Sequence, residues 1–182
     1  DFEDVRAAAD KFSAITAYFY TPGLGTRNLT GLGEPLNVSA VMADGHLFET
    51  LGVSAVQGRT FDASDDVVGA NQVVVLSDQF WRSALGGDPE VVGRVVQLGG
   101  QPFRVVGVMP PDFAFPSAAA EVWLPLSLLT DREIPHLRPI RWLNAVARLA
   151  PGVTPSAAEA QLGEVLARLA REYPESNTDW DK

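Results

Sequence analysis

The chain has 182 residues, 46% of them hydrophobic and 20% charged, with 14 lysines and arginines against 23 aspartates and glutamates, a formal net charge of −9. This mixture supports a buried core and argues against disorder, while the acidic balance disfavours nucleic acid and anionic membrane surfaces as partners. No cysteine is present, which excludes disulfides, thiolate metal sites and cysteine nucleophiles.

Residues 1–12 predict a helix: Asp1 caps, Glu3 and Asp4 suit the first turn, and Phe2, Val5, Ala9 and Phe12 recur at helical spacing. Residues 13–20 predict a strand, with Ile15, Ala17 and Phe19 alternating against Thr16, Tyr18 and Tyr20. Pro22-Gly23 ends it, and the Gly-, Thr- and Asn-rich stretch to Pro35 predicts a turn or irregular hairpin. Residues 36–44 predict a second strand with Val38, Ala40 and Met42 on one face and Ser39, Val41 and Ala43 on the other. Asp44 is expected to cap a short helix over 46–51, which Gly52 stops in the left-handed region.

Gln57-Gly58-Arg59-Thr60-Phe61 leads into an acidic turn at Asp62–Asp66. Gln72–Leu76 is a continuous apolar run, expected to be a strand covered on both faces. Ser77 is placed to cap a helix over 78–85, which Gly86-Gly87 ends. Residues 94–98 and 102–108 predict a hairpin about Gly99-Gly100, and Pro110-Pro111 stops its second strand. Residues 112–140 are broken by prolines, with a short strand at Glu121–Leu126. Residues 141–149 alternate again, and Thr154-Pro155 opens a helix over 155–173. Its apolar stripe is Ala158, Leu162, Val165, Leu166, Leu169 and Tyr173, with Glu164–Arg168 as a surface pair.

The order of elements predicts an α+β fold. The early helix and strands and the late strand and helix are expected to form one layer, with residues 57–130 inserted as a unit with its own small sheet. No apolar run approaches the about 18–20 residues of a membrane-spanning helix. The chain opens on Asp1 without a leader peptide and is expected to be a segment of a longer product.

Chemistry is sparse. His46 and His136 do not form an HExxH arrangement, and His46 with Glu49 supplies only two ligands at helical spacing. Asp62, Asp65 and Asp66 lack EF-hand spacing, so a solvated turn is the plainer reading of that cluster. Ser77 follows a strand and opens a helix, but its neighbours Val75-Leu76-Ser77-Asp78-Gln79 lack the glycines of a nucleophile elbow. The glycines of Gly23-Leu24-Gly25 and Gly31-Leu32-Gly33 complete no phosphate-loop pattern. Of the four tryptophans, Trp81 and Trp142 lie in periodic elements that predict core positions, whereas Trp123, just ahead of Pro125, is the candidate for an exposed partner contact. No catalytic, cofactor or metal residue is assigned, and the chain is not expected to be an enzyme.

Five segments, in order, resemble one family. They are Asp44-Gly45-His46-Leu47-Phe48-Glu49-Thr50-Leu51-Gly52-Val53; Gln57-Gly58-Arg59-Thr60-Phe61 with Asp65-Asp66; the stretch from Val73-Val74-Val75-Leu76-Ser77 through Gly86-Gly87-Asp88-Pro89 to Val105-Val106-Gly107-Val108-Met109-Pro110; Arg148-Leu149-Ala150-Pro151-Gly152-Val153-Thr154; and Tyr173-Pro174-Glu175-Ser176-Asn177. Together they resemble the periplasmic core domain of MacB-like ABC transporter permeases, in the wider MacB/FtsX group.

The resemblance implies an extracytoplasmic domain set between the first two transmembrane helices of a permease. It implies a membrane-proximal, porter-like α/β subdomain at residues 1–56 and 131–182, with a small β-rich, sabre-like subdomain inserted at 57–130. It further implies a mechanotransmission role in export. The implied partners are a second permease copy or module, a cytoplasmic ABC ATPase subunit or domain, and a periplasmic adaptor, with no cofactor. The competing readings are a ligand- or peptide-binding module with a cleft between subdomains, and a hydrolase using His46 or the Asp62–Asp66 cluster.

Overall fold

The computed structural model describes residues 2–8, 10–21, 26–31, 34–70, 72–129 and 143–174. The glycine-rich turn at 22–25, His136, Trp142 and Trp180 lie outside the described residues. The fold is α+β, as expected. In chain order its elements are α1 (Phe2–Ala8), β1 (Phe12–Phe19), β2 (Thr26–Thr30), β3 (Leu36–Ala43), α2 (Leu47–Leu51), β4 (Gln57–Gly58), β5 (Val73–Leu76), α3 (Asp78–Leu85), β6 (Val95–Leu98), β7 (Gln101–Val108), β8 (Val122–Pro125), a 3-10 turn (Leu126–Leu128), β9 (Asn144–Leu149) and α4 (Pro155–Glu172).

Local sequence chemistry explains most of these boundaries. Ser77 sits in extended conformation and its hydroxyl accepts from the Phe80 N–H at 3.1 Å, capping α3. Thr154 does the same for Ala157 at the start of α4, with Pro155 in the first turn. Gly99 and Gly100 both take positive φ, 59° and 81°, as a two-residue hairpin between β6 and β7 requires.

The strands close on themselves. β2 pairs β6, and the path runs on through β7, β5 and β8 to β3, which pairs β2 again. The ring contains two parallel contacts, β3 with β8 and β5 with β7; its other pairings are antiparallel. Alternation then sorts the side chains. Leu29, Val38, Ala40, Met42, Val74, Leu76, Val96, Leu98, Phe103, Val105, Val122 and Leu124 fill one core, onto which α3 packs Phe80 and Trp81. Val41, Ala43, Val73, Val75, Val106 and Trp123 point to the opposite face, where Leu47 and Phe48 of α2, Phe61, Met109 and Ala120 cover them. β5 is therefore buried at all four positions, as its unbroken apolar run predicts.

Gly107 lies where β4 crosses β7. A Cβ there would sit 2.2 Å from the Arg59 carbonyl oxygen and 2.9 Å from that of Gln57. Only glycine permits this approach.

β1 and β9 extend the ring as an antiparallel pair, and β1 joins it through β3 at Tyr18↔Ala43 and Phe19↔Met42. β1 and β2 thus follow one another along β3. α1 and α4 lie together on the β1–β9 pair, where Val5, Val165 and Leu169 are buried with Ala8, Ile15, Leu162 and Leu166 against them. The Lys11 N–H donates to Gln161 Oε1 at 2.9 Å, and Gln161 Nε2 donates to Asp10, pinning the α1–β1 turn to α4.

Several expectations change. The sheet of the middle region is not confined to residues 57–130, because β2 and β3 supply neighbours for β6 and β8 and side chains for the same core. The Gly-rich approach to Pro35 contains a strand, β2. β9 is half-buried at best, since it has a pairing partner on one edge only among the described residues. The surface pair on α4 is Arg168 with Glu172 at 3.8 Å rather than with Glu164. Tyr173, expected in the stripe, is 37% exposed at the helix end.

Candidate functional site

The α1–β1–β9–α4 layer meets the closed sheet at the end of β3, around Asp44. Asp44 is expected to cap α2. The residue at the N-cap position is instead His46, which makes no side-chain capping bond. Asp44 has a different role because the β1–β3 pairing ends beside it. Its Oδ1 accepts from the buried Thr16 hydroxyl at 2.7 Å and from the His46 N–H at 2.8 Å. Its Oδ2 accepts from the Ala17 N–H at 3.3 Å and from Arg6 Nη1 at 3.1 Å. The Asp44 N–H in turn donates to the Ala17 carbonyl at 2.9 Å. One carboxylate, 6% exposed, thereby ties α1, β1, β3 and the entry to α2 together.

Arg6 reaches this point from the last turn of α1, with its guanidinium 5.4 Å from the Phe2 ring centroid. Its Nη1 also lies 3.2 Å from His46 Nδ1. A charged arginine only donates, so His46 Nδ1 is the acceptor.

The acidic turn closes the other side. Asp66 accepts the Gly45 N–H on one oxygen at 3.0 Å and the Ser127 N–H on the other at 2.6 Å. Asp65 is held by Arg59 through two bonds of 2.5 and 2.9 Å, and Asp62 accepts both the hydroxyl and the N–H of Ser64. The hydrogen bonds from Arg59 hold the Asp65 carboxyl below its ordinary value, and those from Ser64 do the same for Asp62. These oxygens are spent on loop geometry, and no group of three or more potential metal ligands occurs among the described residues. A cleft of about 350 Å3 lies between Arg6, His46, Asp66 and Ser127, floored by Phe2 and Leu126.

A second tie lies nearby. Arg148 of β9 donates to the Thr50 carbonyl from Nε at 3.1 Å and Nη2 at 2.7 Å, satisfying the carboxyl end of α2. Gly52 ends that helix at φ 70°, as expected.

Of the residues singled out from sequence, Asp66 and His46 are brought together here, Asp62 and Asp65 shape the loop behind them, and Ser77 is a helix cap. Trp123 is corrected. It is expected as an exposed partner contact, but it is 0% exposed. β8 is a central strand between β3 and β5, and the Trp123 ring packs on Phe48 and Phe113 with its N–H on the Phe115 carbonyl at 3.0 Å. Pro125 follows only where the strand ends. Arg6 is missed by motif reading, and Arg148 is read there only as the first residue of a family segment. Arg148 carries the clearer signal, an arginine in an alternating strand with no neighbouring acid, whereas Arg6 has Glu3 and Asp10 at helical spacing and reads as an ordinary surface pair.

Residues 1–165 match the family model described as the MacB-like periplasmic core domain. The chain belongs to that family. Among curated relatives, the macrolide export ATP-binding/permease protein MacB of Salmonella paratyphi A is 36% identical over 132 residues, covering 71% of this chain and 20% of the relative. The protein of the same name from Escherichia coli K12 is 32% identical over the same shares. The chain thus spans about a fifth of the curated relatives it matches. Two solved structures share the fold at a TM-score of 0.67. They are the extracellular domain of the noncanonic ABC-type transporter YknZ from Gram-positive bacteria, 16% identical and covering 94% of this chain and 83% of that one, and the periplasmic region of MacB from Actinobacillus actinomycetemcomitans, 19% identical and covering 96% and 75%.

Proposed function

We propose that this MacB-like domain is an extracytoplasmic coupling part of an ABC transporter permease. In this reading the α1–β1–β9–α4 layer is the membrane-proximal part, and the closed sheet, including residues 26–43 as well as 57–129, is the part it moves. ATP turnover takes place elsewhere, in a cytoplasmic ATPase subunit or domain, as the names of the relatives suggest. A second permease copy and an adaptor outside the membrane are the partners this role calls for.

The carrying observation is that the first and last described helices pack on each other and on one strand pair. Motion imposed at either end of the chain therefore enters a single layer. From there it passes to the closed sheet through β1–β3, through Asp44, and through Arg148 on Thr50. The cleft at the joint supports coupling over ligand capture, because Asp44 and Asp66 already bond to protein donors on both oxygens.

The test uses the full gene product. The 182 residues contain no cysteine, so Val95→Cys, at a position 49% exposed, gives one label site in this domain once any cysteine elsewhere in the full product is replaced by serine. It should react with a membrane-impermeant maleimide in intact spheroplasts. Paired with Arg171→Cys on α4 for spin labelling, its distance distribution should shift between nucleotide-free and ATP-bound protein. Labelling only after lysis would overturn the location, and an unchanged distance would overturn the coupling.

A further inference from the structure

We propose that the protonation state of His46 sets how firmly α1 is held at the joint, making Arg6–His46–Asp44 a pH-sensitive latch. The bond from Arg6 Nη1 to His46 Nδ1, 3.2 Å long, exists only while that nitrogen carries a lone pair. Protonation places a second N–H there. Two donors then face each other, and a second positive charge stands beside the guanidinium.

The same proton creates a new partner. Asp44 Oδ1 is 3.6 Å from His46 Nδ1, close enough for a small ring rotation to form a charge-assisted bond. Asp44 Oδ1 then holds α2 more tightly through His46, while α1 loses its bond to His46 and keeps the Arg6 bond to Asp44 Oδ2. The charged groups that line the cleft beside the ring among the described residues are Arg6 from α1, Asp44 from the end of β3 and Asp66 from the acidic turn, and Glu49 follows in the first turn of α2 itself. The His46 side chain is 42% exposed, so protons reach it directly. Histidine is the side chain that ordinarily changes charge between about pH 5 and 8, and the chain contains two, His46 and His136. Any effect of the latch on transport rests on the coupling role proposed above; the latch itself does not.

The experiment is hydrogen exchange of the peptide covering residues 2–8 in the 182-residue chain, corrected for intrinsic rate. Losing one part-exposed hydrogen bond should lower its protection about two- to five-fold between about pH 7.5 and 5.5. His136→Gln should behave like wild type, and His46→Gln should show no such drop. As a second measurement in the unmutated protein, the midpoint of the drop should coincide with the NMR titration of the His46 ring protons. A drop that persists in His46→Gln, no drop in wild type, or a midpoint displaced from the His46 titration would overturn the latch. This readout needs no transporter, so its failure is separable from failure of the coupling role.

Discussion

Replacing Asp44 by alanine strips acceptors from four donors at once. Two of them, the Thr16 hydroxyl and the Ala17 N–H, belong to residues that are 0% exposed, and water cannot readily replace the lost oxygens there. An orphaned buried donor costs about 1–3 kcal/mol, so these two alone predict about 2–6 kcal/mol. The Arg6 bond adds less, about 0.2–1 kcal/mol, because the Arg6 side chain is 30% exposed and rehydrates. A domain of this size has a stability on the order of 5–15 kcal/mol, so Asp44→Ala should remain folded but with a much lower urea midpoint. Asp44→Asn is the informative partner. Its carbonyl oxygen can still serve Thr16 and the His46 N–H, while its amide faces Arg6 and the Ala17 N–H with donors, so it should lose roughly half as much. Urea unfolding followed by tryptophan fluorescence measures both, read as a shift in midpoint at constant slope. A loss below about 1 kcal/mol for Asp44→Ala would refute the claim that this carboxylate holds the joint, since that is less than one orphaned buried donor.

Trp123→Ala should cost about 3–5 kcal/mol in the same assay, because it empties a site packed by Phe48 and Phe113; a near-neutral result would return Trp123 to the surface. Asp65, held below its ordinary carboxyl value by Arg59, contributes stability that is present above its unfolded value of about 3.9 and is lost as pH falls through the lower folded value. Asp65→Asn should therefore flatten the acid limb of a stability–pH curve below about pH 4, and an unchanged limb would contradict that role.

Where a feature depends on neighbours in the chain, the residues announce it. The Ser77 cap, the Gly99-Gly100 turn, the buried run at Val73–Leu76 and the long helix opened by Thr154-Pro155 are all readable, because each depends on residues a few positions apart. So is the ordered set of segments that marks the family. The joint is not readable in this way. Asp44 looks like a helix cap, since Asp before a short helix is the ordinary cap signal, and the donors that claim it, Thr16 and Arg6, stand 28 and 38 residues away.

The sequence by itself determined the element types, most of their ends and the membership of a MacB-like family, because capping, turn geometry and hydrophobic period act locally. Only the tertiary structure decided that β2 closes the sheet against β3 and β6, that Trp123 is buried on a central strand, and that Arg6, Asp44 and His46 meet. Each of those follows from which strand lies beside which. Strand pairing is settled by the shared burial of side chains far apart in the chain, and no single stretch of residues encodes it.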